Sequence, residues 1–453
     1  MDVKERVKGY REELLDRLAK LVAINSVQSE TLPDAPFGSG PRDALLAALQ
    51  MLDEDGFRTV NLDNYIGYAE MGEGEQLIGI IGHLDIVPAR REDGWDTDPF
   101  TMTEKDGILY GRGVADDKCA VVASMIAMKV LRDMGVPLTK RIRLIMGTNE
   151  ETGSKGLAYY VKKEGDVDFG FTPDGNFPGT HGEKGALGGV YRSKQTGILD
   201  IYGGTARNVV CPKCTIKVAK NSYSAKKLGD FFNNNNLDYE ISEGEDADTI
   251  TLIGKSAHAS MPELGMNAIS YLLVGLKEAG FQDPFVEFYC KHFGLNYDGE
   301  GLGCKLSDEY GVLTLNNGVI SMKDGVIEGS IDIRFPVTMT MKQVQRSMQD
   351  YLEDDNGVVE IRGGVDPLFF PIDSPLVTCL HQAYVSVTGD TENVPMTMGG
   401  GTYAKGIGNT IAFGCAFPNK NYHIHEANEE CPIDELLLQA EIYVQAVLNL
   451  LAQ

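Results

Sequence analysis

Glu150 and Glu151 stand side by side in "GTNEETGSKG" (147–156), where the apolar run "RIRLIM" (141–146) stops. Adjacent like charges repel, and a strand end near a core is a costly place for both. Three other stretches put ligand-type side chains just past apolar runs or at helix starts: His83 and Asp85 in "GHLDIVP", Asp116 in "GRGVADDK", and Asp174 in "TPDGNFP". "YHIHEANEE" adds His423 and His425 near the C-terminus. Carboxylates and imidazoles are the donors that hold divalent cations. Taken singly, each has a plainer reading. An Asp before a helix is usually an N-cap, an Asp before glycine a turn, a lone His a hydrogen-bonded structural residue, and paired glutamates a solvated face. Together, at strand ends, they point to a metal centre.

Such residues meet only if strand ends share an edge. Residues 3–24 place Val3, Val7, Leu14, Leu18, Leu21 and Val22 at helical spacing, and 43–54 repeat the pattern. "QLIGIIG" (76–82), "RIRLIMG" (141–147) and "FGFTPDG" (169–175) read as strands, and 116–135 as a helix ended by Gly135. The alternation predicts an α/β fold with a mixed, mostly parallel sheet covered on both faces. The C-terminal edge of such a sheet is where sites form. After about residue 186 the texture changes. "TIKVAKNSYSAKKLGDFF" (215–232) and "SIDIRFPVTMTMKQVQRSMQDYL" (330–352) each read strand, link, helix. Aligning Thr215 with Ser330 pairs Ile216 with Ile331 and Val218 with Ile333: either an insertion of two related α+β halves, or chance similarity of two β-α units. From about 370 the α/β texture resumes, with helices over 374–389 and 434–453 and a strand over 409–414. The expected organisation is a catalytic domain in two parts, 1–185 and 370–453, interrupted by a lid domain, 186–369. "NNNN" (233–236) and "EGEDAD" (243–248) read as exposed loops.

A net charge of −25 repels phosphate backbones and anionic membrane, so neither nucleic acid nor membrane is an expected partner. No apolar run approaches the ~20 residues of a membrane span. The N-terminal stretch is charged and amphipathic and has no secretory features, so a cytoplasmic location is expected. Eight scattered cysteines are too few for a disulfide scaffold and fit a reducing compartment. Cys211 and Cys214 form a single C-x-x-C, open to a zinc or redox role but more often incidental.

In order along the chain, "GHLDIVP", "GRGVADDK", "NEETGSKG", "TPDGNFP", "GKSAHASMPELGMNAI", "GGGTYA" and "HEANE" resemble the motifs of the co-catalytic zinc aminoacylase/carboxypeptidase family. That family includes succinyl-diaminopimelate desuccinylases and cytosolic dipeptidases, and the likeness is greatest to the bacterial dipeptidase V group. The resemblance implies that His83 and Asp174 bind one zinc, Glu151 and His425 the other, and that Asp116 bridges the two with a hydroxide between them. Manganese or cobalt would suit the same ligands. It implies a cis peptide after Asp116, and it selects His425 over His423 because Asn428-Glu429 follows. Glu150 becomes the general base, and Asp85 the carboxylate that orients His83. Two dications would answer the charge of Asp116, Glu151, Asp174 and the hydroxide, so the paired glutamates divide into a ligand and a base.

The same resemblance makes His258 a donor to the transition-state oxyanion, where the residues alone read as a polar loop. "IEGSIDIRFPV" (327–337) alternates strictly, with Glu328, Ser330, Asp332 and Arg334 on one face. Arg334 matches the family's carboxylate-binding arginine, whereas the first half has Ala219 at the equivalent place. Asn208 matches a substrate-contacting asparagine. Gly399, Gly400 and Gly401 would present N–H groups to the carboxylate region, or form a flexible turn. A doubled lid standing in for a partner subunit implies a monomer with His258 acting in cis. Cys119 replaces the glycine usual in "DDKG" and reads as a small packed hydrophobe. The leading expectation is a di-zinc dipeptidase acting on short unblocked L-dipeptides. The alternatives are an N-acyl amino acid deacylase or desuccinylase, and a non-catalytic peptide- or metal-binding relative. The last needs a lost ligand or base, and none is missing.

Overall fold

The computed structural model describes residues 2–453. The chain divides into two compact units. The first runs from the N-terminus to Gly182 and resumes over Phe370–Met396 and Gly401–Gln453; the second is Glu183–Phe369 with Thr397–Gly400.

In the first unit the sheet order is Arg58–Leu62, Ile66–Met71, Arg141–Gly147, Leu77–His83, Phe169–Thr172, Thr410–Ala412 and Thr180–Glu183. Leu77–His83 pairs in parallel with Arg141–Gly147 and with Phe169–Thr172, which pairs in parallel with Thr410–Ala412. The flanking pairs are antiparallel. The sheet is therefore mixed, and parallel only at its centre, less so than the alternation of elements predicts. For the outermost pair the reason is local: Arg58–Leu62 and Ile66–Met71 are joined by a turn with Asp63 and Asn64 at positive φ, too short for the crossover a parallel pair needs.

Helix Lys118–Asp133 is buried on every side from Lys118 to Leu131, as its nearly unbroken run of apolar and small residues demands. It packs against Ile433–Leu451, and each large apolar side chain so buried contributes about 1.5–3 kcal/mol. Cys119, a small side chain, is fully buried in the same core. Residues 3–24, expected as one helix, form two, Val3–Gly9 and Arg11–Val22. Gly9 weakens the helix there, and Tyr10 leaves it to hydrogen-bond Asp133.

The second unit is built on an antiparallel sheet. Its order is Asp238–Glu243, Ala247–Ile253, Lys213–Ala219, Asp200–Gly203, Ile320–Lys323, Val326–Phe335, Gly185–Ser193, Gly357–Val365 and Glu353–Asp354. Lys213–Ala219 leads to helix Ala225–Asn234, and Val326–Phe335 to helix Met341–Met348. These β-α units flank the central pair of Asp200–Gly203 and Ile320–Lys323, with Gly185–Ser193 inserted in the second half. Ser224 and Thr340 cap the two helices through their hydroxyls. Ile327, Ile331, Ile333 and Phe335 are fully buried, and the opposite face of that strand carries Asp332 and Arg334. The "NNNN" run is half helical, since Ala225–Asn234 takes in its first two members. "EGEDAD" is a hairpin turn with strand residues at both ends. Among the described residues no helix is long and apolar enough to cross a membrane.

Candidate metal centre

Three adjacent parallel strands of the first unit end at one edge, and the candidate ligands follow their ends. His83 is the last residue of Leu77–His83 and is 1% exposed. Glu150 and Glu151 follow Arg141–Gly147, and Asp174 follows Phe169–Thr172. Asp116 precedes helix Lys118–Asp133, and the Asp116–Asp117 peptide is cis. His425 arrives on a loop where His423, His425 and Asn428 all have positive φ. Non-glycine residues seldom adopt that conformation, and when they do they cluster at functional sites.

Asp116 lies between the two imidazoles. Its Oδ1 is 3.1 Å from His83 Nε2, and its Oδ2 is 3.0 Å from His425 Nε2. His83 Nε2 is also 3.8 Å from Asp174 Oδ2, and His425 Nε2 is 3.1 Å from Glu151 Oε1. Ligand atoms of His83, Asp116 and Glu151 lie within 4.8 Å of one another, as do those of His83, Glu150 and Asp174. Glu150 thus faces the same space as the ligands. His423 turns away to Glu426, 3.2 Å from its Nδ1.

Asp85 ties both halves of this constellation together. The Nδ1 of His83 is 3.0 Å from the Asp85 carbonyl and 3.5 Å from its carboxylate. The carboxylate accepts the backbone N–H of Glu150 at 3.0 Å and of Glu151 at 3.1 Å. The sequence points to Asp85 only as a partner for His83; that one carboxylate also holds the glutamate pair needs the fold. Asp117 accepts the His83 backbone N–H at 3.0 Å instead of capping its own helix.

Three contributors escaped the reading of the sequence. Glu429 is fully buried and accepts the N–H groups of Gly113, Ala115 and Asp116 at 3.0, 2.8 and 3.1 Å. Arg112 meets its carboxylate at 2.6 Å and donates to the Glu426 carbonyl at 3.1 Å. The pair fastens the His425 loop to the Asp116 loop. The available signal was a glutamate just past an expected ligand, but its partners lie more than 300 residues earlier. Tyr403, in the "GGGTYA" stretch where only the glycines stood out, sets its ring edge-on to His83 at 6.2 Å. Gly147 permits this, since a Cβ there would lie 2.0 Å from the tyrosine hydroxyl.

The electrostatics follow from crowding carboxylates in a buried place. Burial, then Asp174, hold the Glu150 carboxyl well above the usual carboxylate range. Burial also raises Asp117 well above it. Burial disfavours a charged His83, but Asp116 and Asp85 outweigh it and raise its pKa well above the usual imidazole value. For His425 burial is likewise outweighed by Asp116 and Glu151, which lift it to about 11. Asp116 moves the other way: burial opposes its charge, and the two imidazoles pull its pKa far down. The carboxylates call for positive charge, and a proton on each imidazole is a weak substitute for a dication. The donors are oxygen and nitrogen only, and the two groups close enough to hold an ion share His83. That chemistry fits divalent cations, with His83, Asp116, Glu151, Asp174 and His425 as the candidate holders.

The second unit gathers five of the other candidates. Residues 207–210 run beside 257–259, with Val209 bridging His258 and the Asn208 carbonyl accepting from the Ala259 N–H at 2.9 Å. His258 Nδ1 is 2.7 Å from the Ser260 hydroxyl, and Ser260 packs on Gly399, where a Cβ would lie 2.3 Å from its own. Arg334 grips Asp332 through Nε at 2.6 Å and Nη2 at 3.2 Å, and donates to the Gly399 carbonyl at 3.5 Å. Gly399 thus offers Arg334 its carbonyl, where the sequence reading emphasised N–H groups. Gly400 belongs to this unit and Gly401 to the first. Asn316 donates to the carbonyls of Arg207 and Val209, both at 3.0 Å, and steadies the Asn208 loop. Cys211 and Cys214 are buried thiols that gather no third ligand among the described residues.

A mixed α/β fold with carboxylates and imidazoles converging at its parallel strand ends defines a metal-dependent hydrolase. The chain belongs to peptidase family M20/M25/M40, whose model matches residues 79–449. It is 32% identical over 457 residues to "Putative dipeptidase YtjP" of Bacillus subtilis (strain 168), covering 97% of each chain. It is 32% identical over 463 residues to "Putative dipeptidase" of Staphylococcus epidermidis, covering 98% of each. Among solved structures, human carnosine dipeptidase 1 matches with a TM-score of 0.59 and 19% identity, over 100% of this chain and 99% of that one. Aminoacylhistidine dipeptidase from Vibrio alginolyticus matches with a TM-score of 0.54 and 17% identity, over 97% and 96%.

Proposed function

We propose that this protein is a dipeptidase that hydrolyses short unblocked L-dipeptides, working with two divalent cations, zinc foremost, as a monomer in the cytoplasm. The observation that carries the reading is one carboxylate, Asp116, shared by His83 and His425 with Glu150 facing the same space. The dipeptidase names of the relatives favour peptides over N-acyl amino acids. Bound cations would polarise the scissile carbonyl and acidify the attacking water. Glu150 takes the proton from that water and delivers it to the leaving amine. Asp85 keeps His83 and the two glutamate amides in register. His258 donates to the developing oxyanion, with Ser260 fixing its ring. Arg334 takes the terminal carboxylate, and Asn208 and the Gly399–Gly401 run shape the same end of the substrate. Eight free thiols fit a reducing compartment.

The test is turnover by the metal-supplemented chain of unblocked dipeptides beside N-acetyl and N-succinyl amino acids. Dipeptides are expected to be cleaved at the higher kcat/KM. Faster cleavage of the N-acyl compounds would replace the reading with a deacylase, and inertness toward both would make the chain a binding protein. Arg334→Ala should raise KM about tenfold or more for substrates with a free terminal carboxylate, the loss of a charge-assisted pair. C-terminally amidated peptides should be little affected; an equal effect on both removes Arg334 from that role.

A further inference from the structure

In the second unit Val326–Phe335, Gly185–Ser193 and Gly357–Val365 lie side by side. The register sets Asp332 opposite Gly188 and Arg334 opposite Ala186, and on the next strand Gly363 opposite Gly188 and Val365 opposite Ala186. Asp332 and Arg334 share a face, two residues apart. Beside them that face has glycine at 188 and at 363, so the sheet is bare and a cavity of about 380 Å³ opens over it. Arg207 and Arg362 stand at its sides. The Arg207 guanidinium lies over Gly188, where a Cβ would come within 2.6 Å of Nη1. Glycine at 188 is what lets the guanidinium rest there.

Three arginines and one aspartate line this cavity, a net +2 in a chain of net −25. Asp332 is 3% exposed and engages Arg334 through both oxygens. Arg207 Nε stands 3.7 Å from the same carboxylate. Arg362 stands 3.6 and 3.5 Å from Glu328 and Glu360, solvent-accessible pairs that contribute little in water. Arg207 and Arg362 thus keep donors for an anion beyond the one Arg334 can take. The volume suits a single amino-acid residue with room to spare.

We propose that this cavity is a subsite for an acidic residue at the C-terminal position of the substrate. Arg334 takes the main-chain carboxylate, and Arg207 and Arg362 take the side-chain carboxylate of aspartate or glutamate. This rests on the dipeptidase reading above.

The experiment compares kcat/KM of the metal-loaded full chain for Ala-Glu, its neutral isostere Ala-Gln, and Ala-Ala. Ala-Glu should exceed Ala-Gln about tenfold, the scale of one charge-assisted hydrogen bond. Arg207→Ala and Arg362→Ala, at exposed positions that do not hold the core, should raise KM for Ala-Glu far more than for Ala-Ala. Calorimetry with free L-glutamate and L-glutamine gives a readout independent of turnover: glutamate should bind more tightly, and R207A should abolish the difference. Cleavage of Ala-Ala with no preference for Ala-Glu over Ala-Gln overturns the subsite and leaves the dipeptidase reading standing. If no dipeptide is cleaved, that reading fails and calorimetry decides the cavity: selective glutamate binding lost in R207A supports the acidic subsite, and its absence sinks it.

Discussion

Glu150→Gln is expected to lower kcat by about 10³-fold while the chain keeps its full complement of metal. Glutamine has nearly the shape of glutamate, and the loop is held through the backbone N–H groups of residues 150 and 151 on Asp85, which the substitution leaves in place. What disappears is a carboxylate able to accept a proton and return it. KM should change little, because the group acts on the moving proton and not on the bound peptide. Glu150 also lies within ligand reach of His83 and Asp174, so the metal assay is decisive. A Glu150→Gln protein that loses a metal ion would make Glu150 a ligand and leave Glu151 to be tried as the base.

Asp116→Ala should cost the chain both cations and bring turnover below detection. Asp116 is the carboxylate that approaches both His83 and His425, one oxygen to each. Removing Glu151 or Asp174 should weaken one cation more than the other; removing Asp116 strips a donor from both. Metal analysis after dialysis gives the direct count. A second readout avoids activity altogether. A ligand held by the folded state raises its stability by about 2.7 kcal/mol at a hundred times its Kd, so added zinc should raise the Tm of the unaltered chain and leave that of Asp116→Ala unmoved. An Asp116→Ala chain that still carries two ions, or still gains stability from zinc, would end the shared-carboxylate arrangement.

Much of this was legible in the chain because its cues are local. An apolar run followed at once by "HLD", "NEE" or "PD" names a strand and what its end carries, and "SIDIRF" announces by alternation which side chains face the core. Helix Lys118–Asp133 and helix Ile433–Leu451 fall within a residue or two of their expected spans for the same reason. The break at Tyr10 and the antiparallel flanks of the first sheet were less visible. Each turns on a short connection whose outcome depends on what it packs against.

The sequence by itself determined which residue types stand at which strand ends, and with them the kind of chemistry open to the chain. Proximity across long stretches was decided by the tertiary structure alone. Asp116 meets His83 from 33 residues earlier and His425 from more than 300 residues later, while His423 turns to Glu426. Glu429 fastens a loop more than 300 residues earlier, and Asp85 holds both glutamate amides. Gly188 and Gly363 meet on adjacent strands to bare the floor beside Arg334. Strand pairing and register are set by the burial of a whole sheet face, a sum over many side chains, so no single segment carries the information about which of its residues will meet another.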